Sequence, residues 1–550
     1  MAKSMSLNAA AGLGGMLKDG HKHFEGVHGA VLRNIDAAKA IADMLQTSLG
    51  PNGMNKLVVN HLEKIFVTSD CATIVKELEV QHPAAKMLVM ASETQEAEYG
   101  DNTNFVISFA GELLKNAGEL IRNGVHTAEI VTGYQLALEK TLEILPTLVV
   151  RTIQDVRNPD ELKAGIRSVI GTKQCGYEDL LASLIVSACQ TTFPPNSTKP
   201  KLNVDNVRIA KLRGGNILQS SVIKGMVVLR DTEGTVKRIE NGKVIVFGCG
   251  FEAASAEAKS TILLKNADEL LNYNKSEEKK MEDIVASIAA TGVKGVVVNG
   301  TVSEMALHFL EKYQILVLKI MSKFDLRRIC GALGATAVLK LGPCSPEEMG
   351  EVSKLEVIEI SGRKVTLISQ EHDEDTTIAT VVIRAATENV INDLERSIDD
   401  GVCGVKTLCN DGRLLPGAGA VELELSRQLK LYADEVKGLD QYAINKFAES
   451  FDIIPRTLIE NSGCDSTSLL QLLHSEHKND STKTIGFDID EHIPIDASER
   501  QIYDIYATKV NALRLAVDAA LTVLRVDQII MSKPAGGPKA PQQNGGDMDP

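Results

Sequence analysis

The chain has 550 residues, of which 44% are hydrophobic and 24% charged, and its formal net charge is −14 at pH 7. This length exceeds one ordinary core, so the composition predicts a globular protein of two to four domains. The acidic balance argues against nucleic acid as the main partner, and the lack of a long apolar run predicts a soluble, cytoplasmic protein without a signal peptide or membrane span.

Residues 28 to 150 have the pattern of long helices with few breaks. Apolar residues recur at helical spacing in 28–50 and again in 104–124. Gly50 and Pro51 are expected to end the first of these helices. Between the two helices, "KLVVN" and "KIFVTSD" predict a short pair of strands.

From about residue 215 to residue 375 the pattern changes to short β-rich runs that alternate with helices. The runs "KVIVFG", "KGVVVNG", "QILVLKI", "KLEVIEI" and "KVTLISQ" predict strands, and their alternation with helices is typical of a compact α/β domain. A charged helical stretch at 251–292 lies between two of these strands. Its length and charge exceed those of a simple connection, so part of it is expected to project from the domain.

After about residue 405 the helical pattern returns and continues to about residue 530. Helical ends on both sides of an α/β middle predict an inserted domain, with a core that is built from both ends of the chain. The last segment, 533–550, is rich in Pro, Gly and Gln and is expected to be disordered.

The stretch "YGDNTNFVI" at 99–107 places an acid in a turn directly before a helix. The free amides and the dipole of a helix N-terminus favour an anion there. One interpretation is a cap formed by Thr103 or Asn104. The other is a bound phosphate whose Mg²⁺ is held by Asp101, because Mg²⁺ combines few carboxylates with phosphate oxygens. The residues of this turn leave both interpretations open.

Other turns have a similar ambiguity. "SLGPNGM" at 48–54 is either a plain helix stop or a close backbone approach to a nucleotide, and the same holds for the small residues at 417–419 before a helix. Asp70, between a strand and a helix, is either a cap or a contact to a metal-bound water. The adjacent Asp399 and Asp400 form a solvated face, or one of them faces inward, because neighbouring helical residues point in different directions.

Several common sites are not predicted. The sequence has neither a GxxxxGK[ST] loop nor a GxSxG elbow. His474 and His477 lack cysteine partners, which argues against zinc, and the acidic run at 371–377 is expected to be a hairpin turn rather than a Ca²⁺ site. The nine cysteines form no CxxC pair, so reduced thiols are expected.

Taken together, the motifs are specific. In this order, "TSLGPNGMNKLVV", "VTSDCATIVKELEVQHPAAKML", "GDNTNF", "ERSIDDGV", "PGAGAVELELS" and "TVLRVDQII" closely resemble the group II chaperonins, over residues 28–532. The resemblance implies a multidomain α and α/β fold. Its parts would be a split helical equatorial domain at 1–150 and 406–532, a split α/β intermediate domain at 151–216 and 375–405, and an inserted α/β apical domain at 217–374 with a helical lid protrusion at about 251–280.

The resemblance also implies a function. The chain would be one subunit of a double-ring, ATP-dependent chaperonin that encloses cytosolic proteins, such as cytoskeletal ones, and assists their folding. Its cofactors would be ATP and Mg²⁺, and its partners seven related subunits and unfolded client proteins. An alternative is a structural ring subunit that binds nucleotide but hydrolyses it slowly. A small-molecule kinase is a third hypothesis, but the sequence shows no acceptor pocket for it.

Site residues follow from the matched motifs. Asp101 matches the Mg²⁺ ligand, Asp400 the acid that positions and activates the attacking water, and Asp70 an acid that assists at the metal and water. The nucleotide contacts implied are Leu49, Gly50 and Pro51 in the first turn; Asn102, Thr103, Asn104 and Phe105 as phosphate-cradling amides; Gly171, Thr172 and the basic Lys173 of the hinge region; Gly417, Ala418 and Gly419 near the ribose; and Asp504 near the nucleoside.

Three positions depart from the family pattern. Asn102 and Ala418 stand where relatives usually have glycine, and Asn55 replaces a commoner aspartate. Asparagine adopts left-handed backbone more readily than other non-glycine residues, so Asn102 is expected to keep the turn. We therefore expect ATP binding to survive, and the departures are the motive for the slow-hydrolysis alternative.

Overall fold

The structure is a computed structural model that describes residues 22–24, 27–194, 200–252, 267–360, 362–370, 378–478 and 483–531. The expected hairpin turn at 371–377 and the expected disordered tail at 533–550 lie outside these residues. So do residues 253–266 of the segment expected to project. Within the part of the chain that is described, no helix is long and apolar enough to cross a membrane.

The N-terminal part consists mostly of long helices, as the apolar spacing predicts. Its elements are β1 (Lys22–Phe24), α1 (Val27–Gln46), β2 (Lys56–Val59), β3 (Ile65–Thr68), α2 (Cys71–Glu77), α3 (Pro83–Tyr99), α4 (Thr103–Arg122) and α5 (Thr127–Ile144). Strands β2 and β3 pair in antiparallel fashion, which confirms the predicted strand pair.

Helix α1 ends at Gln46, before the predicted stop at Gly50-Pro51. The amides of Ser48 and Leu49 donate to the carbonyl groups of Leu45 and Gln46, three residues earlier, at 2.9 and 3.0 Å. Such bonds tighten the end of an α-helix into a turn, so the helix stops earlier than its proline signal indicates.

The middle of the chain contains the largest sheet. In chain order its elements are β4 (Arg151–Thr152), α6 (Pro159–Gly171), α7 (Glu178–Thr191), β5 (Val207–Arg213), β6 (Ser221–Val228), β7 (Arg238–Phe247), α8 (Ala267–Ala290), β8 (Val293–Asn299), α9 (Glu304–Lys312), β9 (Leu316–Ile320), α10 (Lys323–Leu333), β10 (Ala337–Val338), β11 (Gly350–Ile360), β12 (Arg363–Ser369) and β13 (Ala379–Ala385). The strand order is β5-β13-β6-β12-β11-β7-β8-β9, with β10 paired to β7.

The α/β prediction holds for one half of this sheet. Strands β7, β8 and β9 are parallel, and helices lie in the connections between them. Strands β11, β12 and β6 instead pair in antiparallel fashion. For β11 and β12 the reason is their short connection, at which Ile360 pairs with Arg363, because a connection this short joins only antiparallel neighbours.

Helices return in the C-terminal part. Its elements are α11 (Glu388–Asn410), β14 (Arg413–Pro416), α12 (Ala420–Glu435), α13 (Asp440–Ser450), α14 (Ile453–Asn461), α15 (Ser466–Glu476), β15 (Ile485–Phe487), β16 (Pro494–Asp496), β17 (Tyr503–Ile505), α16 (Tyr506–Leu524) and β18 (Ile529–Met531). The last strand pairs with β1, so the two ends of the described chain meet in one small sheet.

The buried apolar side chains form separate clusters. The largest cluster joins α1, α3, α4 and α5 to α12, α13 and α16, so both chain ends build it. A second cluster joins α6 and α7 to α11, β5 and β13. Further clusters fill the two faces of the central sheet. The predicted combination of helical parts with an α/β middle is therefore confirmed.

Candidate functional site

A cavity of about 480 Å³ lies between the core built from both chain ends and the α6–α11 core. Every residue predicted to bind nucleotide or metal lines this cavity except Gly417, whose amide donates to the carbonyl of Ile502 at 2.9 Å. The lining residues that the sequence predicted are Leu49, Gly50, Pro51, Asp70, Asp101, Asn102, Thr103, Asn104, Phe105, Gly171, Thr172, Lys173, Asp400, Ala418, Gly419 and Asp504.

The turn after α1 brings bare backbone to the cavity. Gly50 has left-handed backbone with φ of 82°, and a Cβ at this position would lie 2.6 Å from the Cδ2 atom of Leu458. The left-handed conformation therefore favours glycine, and any larger residue would also have to displace the Leu458 side chain. The side-chain amide of Asn461 donates to the carbonyl of Leu49 at 2.8 Å and holds the turn in place.

Asn102 keeps the turn before α4, as expected from its tolerance of left-handed backbone. It is the residue that precedes the helix, with φ of 65° and ψ of 21°. Its side chain does not cap the helix. The first amides of α4 therefore lack a capping side chain and face the cavity as a potential anion site.

The predicted cap by Thr103 or Asn104 is wrong. Thr103 is already the first helical residue, and the Asn104 side chain is engaged elsewhere. Its amide donates to the carbonyl of Leu45 and to the hydroxyl of Ser48, both at 3.1 Å, while its oxygen accepts from Ser108 at 2.8 Å. Asn104 thus ties the start of α4 to the end of α1 and leaves the helix N-terminus open.

Asp101 is the residue that fits a metal ligand. Its carboxylate has no Lys or Arg within ion-pair distance among the residues that the structure describes, whereas Asp70 and Asp400 both have one. Burial raises the pKa of Asp101, which the Asn102 amide and the charge of Lys173 partly oppose. A carboxylate with no Lys or Arg partner in the described structure, beside the uncapped N-terminus of α4, suits Mg²⁺, which combines few carboxylates with phosphate and water oxygens.

Lys173 joins the two predicted catalytic acids. Its ammonium group lies 2.9 Å from the carboxylate of Asp70 and also contacts the carboxylate of Asp400. Asp70 caps α2 by accepting from the amide and the hydroxyl of Thr73 at 3.1 and 2.6 Å. The cap that the sequence allowed for Asp70 is therefore confirmed, while its contact to a metal-bound water stays a prediction for a side chain that lines the cavity.

Burial and charge set the protonation of this trio. Burial would lower the pKa of Lys173, but Asp400 and Asp70 raise it overall, so the amine is charged. Burial raises the pKa of Asp400 well above its usual range, and Lys173 opposes this. Burial acts on Asp70 in the same direction, but Lys173 and the Thr73 bonds lower its pKa overall. Of the two acids, Asp70 is therefore the one that is ionised more readily beside Lys173, and Asp400 holds its proton more tightly.

Asp400 is the inward-facing member of the Asp399–Asp400 pair. Only 2% of Asp400 is exposed, whereas Asp399 is exposed to solvent. The hypothesis that one acid of this pair faces inward is confirmed. Because Asp399 lies on the same turn of α11 but does not line the cavity, it offers a matched control for any substitution of Asp400.

Ala418 adopts strained backbone that fits glycine better. Its φ is 57°, a left-handed value that costs a non-glycine residue about 1 kcal/mol or more. The carbonyl of Ala418 accepts from the amide of Phe487 at 3.0 Å. A Cβ built on Gly486 would lie 2.8 Å from the methyl carbon of Ala418. The extra methyl group is thus accommodated by a glycine in the β15–β16 hairpin.

We expect Gly486→Ala to destabilise the full-length chain by about 1–3 kcal/mol, as overpacking does. The new methyl group would approach both the carbonyl and the methyl group of Ala418. Combining it with Ala418→Gly should recover part of the loss, because one of the two close contacts disappears. Urea denaturation of the unmodified chain, the two single variants and the double variant measures this coupling as a double-mutant cycle. Gly29→Ala, where nothing lies within 4 Å, is the control, and additive effects would contradict the contact.

Sequence reasoning missed two buried charges at the cavity. Lys509 on α16 and Glu422 on α12 both line it, and 4% and 1% of these residues are exposed. A signal was present, because Lys509 shares a helical face with the buried Ala512, Leu513 and Ala516. A lysine on the apolar face of a helix indicates either a buried ion pair or a ligand.

Two further residues do not line the cavity but contact residues that do. The side-chain amide of Gln95, which is fully buried, donates to the carbonyl of Asp101 at 2.8 Å and to that of Thr508 at 3.3 Å. Arg396 on α11 donates to the hydroxyl of Thr68 at 3.4 Å and lies 4.0 Å from the carboxylate of Asp70. Arg396 lies in the quoted motif "ERSIDDGV" but was not singled out there, and Gln95 lies in none of the quoted motifs.

The whole sequence is similar to proteins of one family. The sequence matches the model of the TCP-1/cpn60 chaperonin family over residues 41–534. It is 49% identical over 530 residues to T-complex protein 1 subunit theta of Arabidopsis thaliana, with 96% of each chain covered. Identity to the proteins of the same name is 47% over 538 residues in Dictyostelium discoideum, covering 98% of this chain and 99% of that one, and 48% over 534 residues in Homo sapiens, covering 97% and 96%.

Proposed function

Because the chain belongs to the TCP-1/cpn60 chaperonin family, we propose that it is an ATP-driven folding subunit whose nucleotide binds in the cavity between its two helical cores. One observation carries the proposal. Lys173 at the end of α6 and Asp400 on α11 meet Asp70 of the β3–α2 turn at the cavity wall. Residues from both cores therefore meet where phosphates would bind.

Different residues of the chain have different roles in the proposed hydrolysis. The open N-terminus of α4 cradles the phosphates, and the turn at Gly50 and the 417–419 turn approach the sugar and base. Asp101 would hold Mg²⁺, which supplies charge neutralisation at the phosphates. Asp400 orients the attacking water and takes its proton as the water oxygen bonds to the γ-phosphorus and the bond to ADP breaks. Bulk water, but not the attacking water molecule, would be excluded when the α6–α11 core closes on the cavity.

We further propose the domain division and assembly that the family implies. The equatorial parts would be 1–150 and 406–532, the intermediate parts 151–216 and 375–405, and the apical domain 217–374. The subunit would sit with seven related subunits in each ring of a cytoplasmic double ring, as the similarity to T-complex protein 1 theta chains suggests. ATP binding and hydrolysis would drive closure of its lid around unfolded clients, cytoskeletal ones among them.

A second function has its own support. Lys173 contacts both predicted catalytic acids, and Asn102 and Ala418 have left-handed backbone where glycine is usual. A subunit of this kind would bind ATP firmly and hydrolyse it slowly. Nucleotide that stays on this subunit after a chase with nucleotide-free buffer would favour this structural role.

The proposed function predicts that Asp101→Asn weakens magnesium-dependent ATP binding at this subunit by about tenfold or more, since the amide cannot neutralise the ion. Assembled particles carrying the variant are labelled with azido-ATP, and the label on this chain is measured with magnesium and with EDTA. Asp434→Asn, on the exposed end of α12, is the control. Equal labelling of variant and control across magnesium concentrations would rule out Asp101 as the metal ligand.

A further inference from the structure

Lys509 is a buried cation without a role in the mechanism described above. Its ammonium group lies 2.6 Å from the carboxylate of Glu422 on α12 and 3.0 Å from that of Asp504 on β17. It also lies 4.4 Å from the ring centroid of Phe105, in the first turn of α4. One side chain thus contacts three separate elements that line the cavity.

Both carboxylates depend on this cation. Glu422 is 1% exposed, and its second carboxylate oxygen is buried without a hydrogen-bond partner in the described structure. Asp504 is more exposed to solvent than Glu422, with 30% of its side chain exposed, and Lys509 is its ion-pair partner. Removal of the lysine would leave uncompensated negative charge at the base of α12 and beside the cavity.

The contact with Phe105 extends the arrangement to the phosphate end. An ammonium group over an aromatic face is attracted by the ring, and more strongly when water is excluded. The same turn of α16 is also tied to the Asp101 turn, because the Gln95 side chain bridges the carbonyls of Thr508 and Asp101. Lys509 therefore lies where the nucleoside end and the phosphate end of the cavity are held together.

We infer that Lys509 is a positioning residue that fixes Asp504, the first turn of α12 and Phe105 relative to one another for nucleotide binding. The inference rests on the proposed function, since it assumes that a nucleotide fills the cavity. Lys509, Glu422 and Phe105 lie on helices of the core built from both chain ends, and Asp504 lies on β17, which packs in the α6–α11 core. Lys173, by contrast, contacts the two predicted catalytic acids. Lys509 should consequently affect affinity, and Lys173 the hydrolysis step.

The test uses assembled particles in which this chain carries Lys509→Met. We expect ATP binding at this subunit, measured by azido-ATP labelling of the chain, to weaken about tenfold, as expected for loss of a buried charged hydrogen bond. Single-turnover hydrolysis at saturating ATP should be unchanged. An unchanged affinity, or a loss confined to the hydrolysis rate, would overturn the inference.

Two variants separate positioning from simple destabilisation. Lys446 also bridges two carboxylates in the same core, Glu119 at 3.0 Å and Glu449 at 2.8 Å, but it does not line the cavity. Lys446→Met should leave ATP affinity unchanged. The double variant Lys509→Met/Glu422→Gln removes the unpaired buried charge, so it should recover thermal stability and yet keep the weak affinity. Recovery of affinity together with stability would mean that Lys509 is only structural.

The outcome also separates this inference from the function on which it rests. Failure of the unmodified particle to label this chain at any ATP concentration would contradict the proposed function itself. Labelling of the unmodified chain with no change in Lys509→Met would contradict only the role of Lys509.

Discussion

Replacing Asp400 with asparagine is expected to lower single-turnover ATP hydrolysis at this subunit about a hundredfold or more, the range typical of a lost general base. Asparagine keeps the shape of the side chain but cannot accept the proton of the attacking water. Asp400 is 2% exposed and contacts Lys173, so its replacement changes the charge at the cavity wall. Because asparagine has the same shape, it leaves no new void in the packing. Binding of ATP should be retained, since Asp101 and the α4 amides are untouched.

The measurement compares hydrolysis of one equivalent of labelled ATP, in particles whose other subunits are made inactive by the same type of substitution. Asp399→Asn is the matched control, because Asp399 is the neighbouring acid on α11 and is exposed. Equal rates in the two variants, with lid closure intact, would mean that Asp400 has no catalytic role. A rate that is already very low before substitution would support the structural function instead.

Phe447→Ala is expected to destabilise the full-length chain by about 3–5 kcal/mol, the usual cost of removing a buried aromatic ring. Phe447 is fully buried on α13, with ring centroids 5.8 Å from Phe109 of α4 and 5.5 Å from Tyr134 of α5. The ring therefore joins helices from the C-terminal part to helices from the N-terminal part. Its loss should weaken the core that both chain ends share.

Urea denaturation followed by circular dichroism tests this prediction. Phe324→Ala is the control, because 75% of Phe324 is exposed at the start of α10, and its effect should stay within about 0.5 kcal/mol. A loss at Phe447 as small as that at Phe324 would mean that the two ends of the chain do not share one cooperative core.

Local patterns predicted most of the elements. The apolar spacing at 104–124 corresponds to α4 at Thr103–Arg122, because a buried helix needs apolar residues on one face whatever its neighbours are. The run "QILVLKI" corresponds to β9 at Leu316–Ile320 for the analogous reason. The short connection between β11 and β12 implies an antiparallel pair, but the pairing of β12 with β6 was not predictable from local patterns, since alternation along a strand does not state which strand lies beside it.

The resemblance to the chaperonins is confirmed by the family match, and five of the six motifs that carry it contribute residues to one cavity. Their individual roles remain predictions that the substitutions above test. The cap predicted for Thr103 or Asn104 was wrong because Asn104 found a partner on α1. That contact spans 59 positions in the chain, and no local preference for capping contains it.

By itself the sequence determined what depends on neighbouring residues: the helices and most strands, the family, and the left-handed turn at Asn102. Only the tertiary structure decided which buried charges meet. Lys173 and Asp70 are 103 positions apart, and Lys509 and Glu422 are 87 positions apart. A buried charge is stable only beside its counter-charge, and that neighbour is set by the packing of distant elements rather than by spacing along the chain.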